Sequence, residues 1–109
     1  LIGFQKASAL MMLGDKIDAV EAERLGMIYK YFSADSFEEE SIKLAEKMAQ
    51  MPTKALALTK EALNQSITNN LDEQLALESK FQIKSASSAD YKEGVNAFVE
   101  KRKPKFEGK

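Results

Sequence analysis

The sequence predicts an all-α chain of five to six short helices. Only two prolines and five glycines interrupt the 109 residues, and strong helix formers fill most positions between them. Apolar residues recur at spacings of three and four, which is the period of a helix with one apolar face. Only one segment has the β-branched and aromatic character of a strand. We therefore expect helices joined by short turns.

The first three helices are expected at residues 4–13, 19–25 and 37–50. Gly14 and Gly26 would end the first two, because glycine tolerates the left-handed conformation of a helix C-terminus. Asp18 and Ser36 would start the second and third, and each is followed three residues later by a glutamate, the capping-box spacing. Residues 27–32, Met-Ile-Tyr-Lys-Tyr-Phe, are the one candidate strand, although a single strand cannot form a sheet.

Three further helices are expected at residues 54–68, 71–85 and 91–101. Pro52 would break the preceding pattern and Thr53 would cap the next helix, whose two apolar stripes predict that it is the most buried. Small residues at 85–89 would form a loop. Asp90 would then cap the last helix, and Pro104 would stop it.

The last helix leads into a basic tail. Tyr91, Val95, Phe98 and Val99 fall on one face of this helix, which we expect to be buried. Six cationic side chains oppose three carboxylates between residues 92 and 109, whereas the whole chain carries a net charge of −1. A ring near clustered cations suits an anionic ligand with an aromatic head, such as a nucleotide. A short localisation signal or a plain solvated basic terminus would account for the same cations.

Composition restricts the chemistry that the chain can perform. A hydrophobic fraction of 44% and a charged fraction of 30% are typical of one globular domain. The chain has no cysteine and no histidine, so it lacks a thiol nucleophile and the commonest general base and metal ligand. No phosphate loop, nucleophile arrangement or paired metal ligands occur. We assign no catalytic residue and no metal site.

The same composition sets expectations about partners. The slightly acidic balance argues against nucleic acid, because phosphate binding needs a basic stripe over much of a domain. No apolar run approaches the roughly 20 residues that span a bilayer. We therefore expect no nucleic-acid or membrane partner, and a cytoplasmic location, which the lack of cysteine fits.

Three segments of the chain follow one family pattern. Residues 12–22 read Met-Leu-Gly-Asp-Lys-Ile-Asp-Ala-Val-Glu-Ala, and residues 56–64 read Leu-Ala-Leu-Thr-Lys-Glu-Ala-Leu-Asn. Residues 90–106 supply the third match, almost residue for residue. They are spread along the chain, and all 109 residues resemble the C-terminal third of a crotonase-superfamily protein, an enoyl-CoA hydratase/isomerase. Residues 68–75 are more similar to the ring-1,2-epoxyphenylacetyl-CoA isomerase branch.

The resemblance implies that residues 1–109 are a helical region that forms a trimer interface and closes over CoA. An α/β spiral core upstream would supply the catalytic acids and the oxyanion hole, so this region alone is expected to be inactive. The implied substrate is an acyl-CoA thioester, with no prosthetic group. The implied assembly is a homotrimer or a dimer of trimers. A free-standing helical interaction module without catalysis is the alternative.

Two residues carry the implied CoA contact. Phe98 and Lys101 match family positions that reach the adenine and the 3′-phosphate of CoA, commonly in a neighbouring subunit. A ring can pack on adenine, and an ammonium meets a phosphate as a point charge. On one continuous helix, residues three apart would share a face.

Overall fold

The computed structural model describes residues 2–109, and every regular element among them is a helix. The all-α prediction is therefore confirmed for this part of the chain. The chain divides into two compact units, and the division between Ser41 and Ile42 falls inside the third helix. The helices of the described residues are α1 Phe4–Leu13, α2 Ala19–Arg24, α3 Phe37–Ala49, α4 Thr53–Gln65, α5 Leu71–Ala86 and α6 Ala89–Val99.

The first unit contains α1 and α2. The first helix ends as predicted, whereas α2 ends at Arg24, one residue before the predicted end. α1 ends where Gly14 takes the left-handed conformation and its N–H donates to the Leu10 carbonyl at 3.1 Å. Asp18 caps α2, because its carboxylate accepts the Glu21 N–H at 2.8 Å. The Glu21 carboxylate itself pairs with Arg24, which lowers the pKa of Glu21 to about 2.

The predicted strand is wrong, because residues 27–32 form no strand. The chain leaves α2 through a turn in which Gly26 and Met27 donate their N–H groups back to carbonyls of the helix, both at 2.9 Å. It then continues without regular structure to Tyr31 and beyond. The physical reason is that the described residues contain no second strand whose backbone could pair with this segment.

In the second unit α4 packs on α5, and α5 packs on α6. Each of these helices contributes one buried apolar side chain: Leu58, Phe81 and Ala97, respectively. The prediction that α4 is the most buried helix is wrong at Leu63 and Ile67, which stay exposed. The core of this unit is therefore small.

The start and the end of α4 both differ from the prediction. Thr53 is the first residue of the helix and not its cap. Pro52 precedes it and has no side chain that could accept a helix N–H, so α4 begins without a side-chain cap. The helix ends at Gln65, three residues before the predicted end, and a turn carries the chain to Asn69.

The junction of α5 and α6 is tighter than the predicted loop. Only Ser87 and Ser88 separate the two helices, because α6 begins at Ala89. Ser88 caps α6 by accepting the Tyr91 N–H at 3.0 Å. The predicted cap at Asp90 is therefore wrong, and its carboxylate is free to bond elsewhere. The helix ends at residue 99, two residues earlier than predicted.

A reciprocal cap also starts α5. Asn70 accepts the Glu73 N–H at 3.0 Å, and the Glu73 carboxylate accepts the Asn70 N–H at 2.9 Å. This Asn-x-x-Glu spacing is visible in the sequence, although we expected only a turn there. None of the helices in the described part of the chain is long and apolar enough to cross a membrane.

Candidate functional site

The inner face of α6 is built from small and acidic residues. Asp90 and Ala97 are 3% and 1% exposed, whereas Phe98 is 86% exposed. Tyr91 and Val99, which belong to the same predicted apolar face, are also exposed. The prediction that this face is buried is therefore wrong. The physical reason is that the described residues cover the side of α6 that carries Asp90 and Ala97, and leave the apolar side uncovered.

Residues 103–109, called here the docked tail, make that return. The Phe106 ring lies against Gly94, where an added Cβ would come within 3.5 Å of the ring. The Asp90 carboxylate accepts the N–H groups of Glu107 and Gly108 at 2.7 and 2.9 Å. These two hydrogen bonds satisfy a buried carboxylate and fix the far end of the tail on the first turn of α6.

Glu93 holds the near end of the docked tail. Its two carboxylate oxygens accept from both terminal nitrogens of Arg102, at 2.6 and 2.9 Å. One of the same oxygens also accepts the Lys105 N–H at 2.8 Å. The Glu93 carboxylate thus connects α6 to the turn that follows it and to the docked tail.

These contacts change the acidity of both partners. The Arg102 side chain and then the Lys105 N–H lower the pKa of Glu93 from 4.5 to about 2, and Glu93 in turn raises the pKa of Arg102. A carboxylate whose folded pKa is lowered contributes stability above its unfolded pKa. The contribution of Glu93 is therefore present at pH values above 4.5 and is lost as the pH falls towards 2.

The chain leaves α6 through a turn that has an unusual residue at its centre. Lys101 has a φ of 54°, in the left-handed region that favours glycine. The Lys101 N–H donates to the Phe98 carbonyl at 3.3 Å, and the Arg102 N–H donates to the Ala97 carbonyl at 3.0 Å. This is a Schellman motif. We call residues 100–102 the α6 turn.

The end of α2 provides a comparison within the same chain. There the same pair of hydrogen bonds forms around Gly26, whose φ is 71°. A residue with a side chain costs roughly 1–2 kcal/mol in this conformation. Lys101 therefore occupies a position where backbone stability alone would select glycine.

The structure places Phe98 and Lys101 close along the chain but not on one helix. Lys101 lies beyond the end of α6, so the expectation that the two residues share a helix face is wrong. The hydrogen bond from the Lys101 N–H to the Phe98 carbonyl keeps them adjacent. Both side chains are exposed, and the Lys101 ammonium has no ion pair or side-chain hydrogen bond within residues 2–109.

The other cations of the basic tail have different surroundings. Arg102 is paired with Glu93 and also donates to Glu100. Lys103 donates to the side-chain oxygen of Gln50 at 3.3 Å. The cluster that looks uniform in sequence thus contains a paired guanidinium and an anchored lysine, whereas the ammonium groups of Lys101 and Lys105 have no ion pair or hydrogen bond within residues 2–109.

An apolar groove of about 390 Å³ lies beside Phe98. Its lining includes Pro52, Tyr91, Val95, Phe98 and Phe106. Within residues 2–109 no cluster of three or more His, Cys, Asp or Glu side chains could hold a metal ion.

Sequence reasoning missed the two residues that organise this region. The sequence predicts Asp90 only as the cap of α6, because aspartate is a common N-cap residue, and it assigns Glu93 no contact with the tail. The structure uses both carboxylates to hold the docked tail. Ser88, which does cap the helix, was visible two residues earlier as an N-cap residue type.

Comparison with known proteins defines the class. The model of the enoyl-CoA hydratase/isomerase family matches residues 1–109. The chain belongs to the enoyl-CoA hydratase/isomerase family. It is 41% identical over 107 residues to the 1,2-epoxyphenylacetyl-CoA isomerase of Escherichia coli K12, a match that covers 98% of this chain and 41% of the relative. A probable enoyl-CoA hydratase of Rhodobacter capsulatus is 38% identical over 108 residues, which cover 99% of this chain and 42% of the relative.

Solved structures agree with these relatives. The enoyl-CoA hydratase of Bacillus anthracis superposes with a TM-score of 0.90 at 34% identity, over 100% of this chain and 42% of that one. An enoyl-CoA hydratase/isomerase of Cupriavidus metallidurans CH34 gives a TM-score of 0.89 at 33% identity, over 98% of this chain and 40% of that one. The chain thus spans about two fifths of the length of the relatives it matches, and the helices superpose on crotonase-fold enzymes.

Proposed function

We propose that this chain is the C-terminal helical region of a crotonase-type acyl-CoA hydratase or isomerase. In that enzyme it would contribute a CoA contact and an assembly surface, while the catalytic acids and the oxyanion hole would come from another part of the protein. The family match along the whole chain and its coverage of only two fifths of the relatives both support this division. An acyl-CoA thioester would be the substrate, and no prosthetic group is needed.

One observation carries the proposed CoA contact. Lys101 presents an unpaired ammonium in the left-handed turn that follows α6, directly after the exposed ring of Phe98. A phosphate attracts the ammonium, and a purine can pack on the exposed ring. The groove beside Phe98 offers further apolar surface to the same flat group. The 3′-phosphate and adenine of CoA have this combination of charge and shape.

The proposed assembly surface is supported by the large apolar side chains that the chain leaves exposed. Monomeric soluble proteins rarely expose large contiguous apolar patches, so such surface is typical of an interface. The exposed residues include Phe4, Met11, Met12, Leu13, Ile67, Leu71, Ile83 and Val99. We propose that they meet other parts of a homotrimer or a dimer of trimers, in the cytoplasm.

The proposed acyl group is either an enoyl chain or a ring epoxide of phenylacetate. The 41% identity to the 1,2-epoxyphenylacetyl-CoA isomerase supports the second, and the several relatives described as enoyl-CoA hydratases support the first. Turnover of crotonyl-CoA compared with 1,2-epoxyphenylacetyl-CoA by the full-length protein would decide between them.

The proposed CoA contact is tested by the substitution Lys101→Ala in the full-length protein. An exposed ion pair contributes up to about 1 kcal/mol, so KM for the acyl-CoA substrate should rise by up to about fivefold. The turnover number kcat should stay nearly constant, because the contact is remote from the reacting carbons and acts equally on the ground and transition states.

Lys92→Ala is the matched control, since Lys92 is an exposed lysine of α6 itself and lies outside the α6 turn that contains Lys101. It removes one positive charge without removing the proposed phosphate contact. A KM that is unchanged by Lys101→Ala, or raised equally by both substitutions, would contradict the proposed role.

A further inference from the structure

We infer that Glu93 is a positioning residue for Lys101, whose turn it holds in the conformation that presents the ammonium to phosphate. The inference rests on the proposed function, because it concerns the same CoA contact. Glu93 does not itself meet the ligand in this assignment. It acts through Arg102 and the docked tail.

The first step is the connection between Glu93 and the α6 turn. Arg102 follows Lys101 directly, and its N–H closes the turn on the Ala97 carbonyl at 3.0 Å. The Arg102 side chain meanwhile reaches back and donates twice to Glu93, at 2.6 and 2.9 Å. Arg102 is therefore fixed at both its backbone and its side chain, and Lys101 has little freedom between Arg102 and the end of α6.

The second step is the connection between Glu93 and the docked tail. The same carboxylate accepts the Lys105 N–H at 2.8 Å, while Asp90, one helical turn earlier, accepts two amides further along. The chain beyond the turn is thus pinned to α6 at two successive points. Glu93 is the one carboxylate within residues 2–109 that contacts both the turn and the tail.

The third step is the reason that the turn needs to be held. Lys101 occupies the left-handed region, which a residue with a Cβ adopts reluctantly. Without contacts on the following residue, the backbone of Lys101 could relax to a negative φ, which would rotate the ammonium away and release the tail. The paired guanidinium and the Lys105 amide oppose this relaxation by fixing the residues that come next.

Glu100 offers a matched control. Its carboxylate also accepts from Arg102, but its side chain is 58% exposed, against 24% for Glu93, and it makes no hydrogen bond to the tail within residues 2–109. Glu93→Gln and Glu100→Gln therefore remove the same charge from the same guanidinium. They differ in whether the altered side chain is the one that links the turn to the docked tail.

The experiment measures the dissociation constants of CoA and of 3′-dephospho-CoA for the full-length protein. The ratio of the two constants reports the contact with the 3′-phosphate alone. Lys101→Ala should lower the preference for CoA by up to about fivefold, and Glu93→Gln should lower it by a similar or smaller factor. Glu100→Gln should leave the preference unchanged, and Glu93→Gln should have no further effect on the preference in the Lys101→Ala background.

The outcomes separate the two proposals. If Lys101→Ala does not change the preference, the CoA contact itself is wrong. If Lys101→Ala lowers the preference and Glu93→Gln does not, or if Glu100→Gln lowers it equally, the positioning role of Glu93 is wrong while the proposed function stands.

A second measurement covers the case in which Glu93→Gln does not yield folded protein. Arg102→Lys keeps the positive charge but loses the two-pronged geometry that matches a carboxylate. It should lower the preference for CoA, and hydrogen exchange at the Lys101 and Arg102 amides should become faster than in the parent protein. Unchanged exchange at these amides together with an unchanged preference would overturn the inference.

Discussion

Lys101 combines a backbone conformation that favours glycine with the side chain that we propose to contact phosphate. Its φ of 54° is the only positive value found for a residue other than glycine within residues 2–109. A left-handed lysine has a cost, whereas Gly26 forms the same hydrogen bonds at the end of α2 without it. The conflict between local stability and side-chain identity at one residue is typical of positions that serve a ligand.

One substitution at Lys101 should therefore have opposite effects on the stability of the protein and on its binding of CoA. Lys101→Gly should stabilise the protein by roughly 0.5–1 kcal/mol, because relief of the left-handed strain exceeds the added flexibility of the unfolded chain. It should also weaken CoA binding, since the ammonium is lost. Denaturant unfolding and a CoA titration of the same variant measure both effects.

Gly26→Ala is the control for the backbone part of this prediction. It should destabilise the protein by roughly 1 kcal/mol, because it places a Cβ at a φ of 71°. Loss of stability in Lys101→Gly, or unchanged CoA affinity, would show that the lysine is retained for a structural reason.

At the scale of the element, α6 and the docked tail behave as one unit. The tail packs its Phe106 ring against Gly94, and Gly108 lies so close to α4 that an added Cβ would come within 2.6 Å of the Thr53 hydroxyl. Gly108 also has a φ of 76°. The two glycines therefore contribute to the packing of the tail in different ways. Gly94 offers a flat surface to the Phe106 ring, and Gly108 allows a close contact with Thr53.

These surroundings predict opposite results for two glycine-to-alanine substitutions. Gly94→Ala should stabilise α6 by up to about 1 kcal/mol, because the new methyl group would sit at an ordinary distance from Phe106 and helix propensity improves. Gly108→Ala should destabilise the protein, because it adds a short contact and a strained φ. Thermal unfolding of the two variants measures the difference, and a shift of the same sign in both would contradict the described packing of the tail.

The sequence predicts that α6 forms, but it does not predict that acidic side chains of α6 hold the docked tail. Its existence follows from residue propensity, and the motif match extends through the tail. The position of Asp90 could not be derived, because a carboxylate in the first helical turn is equally suited to capping or to accepting distant amides. Its true partners, Glu107 and Gly108, are seventeen and eighteen residues away, and no local pattern encodes that contact.

At the scale of the whole molecule, the described residues form six helices while their hydrophobic core is small. Leu58, Phe81 and Ala97 are the only buried apolar residues among the described ones. Helical periodicity predicted which side chains lie on each apolar stripe. It could not predict that Leu63, Ile67 and Phe98 remain exposed, because periodicity identifies an apolar face without identifying what covers it.

The exposed faces predict the behaviour of the isolated chain. A polypeptide of residues 1–109 should self-associate or bind a hydrophobic dye, because its apolar stripes lack a covering partner. Analytical ultracentrifugation and fluorescence of the dye 8-anilinonaphthalene-1-sulfonate measure the two outcomes. A monomer that does not increase the fluorescence of the dye would contradict the proposed assembly surface.

The outward direction of Phe98 and Val99 has a practical consequence for protein engineering. An attempt to improve solubility would first replace the exposed Phe98 ring and the exposed Val99 side chain with polar residues. On the proposed function, that choice would remove the purine platform and part of the contact between subunits in a single step. Helix surfaces that carry no apolar stripe, such as the position of Lys92, are the safer places for such changes.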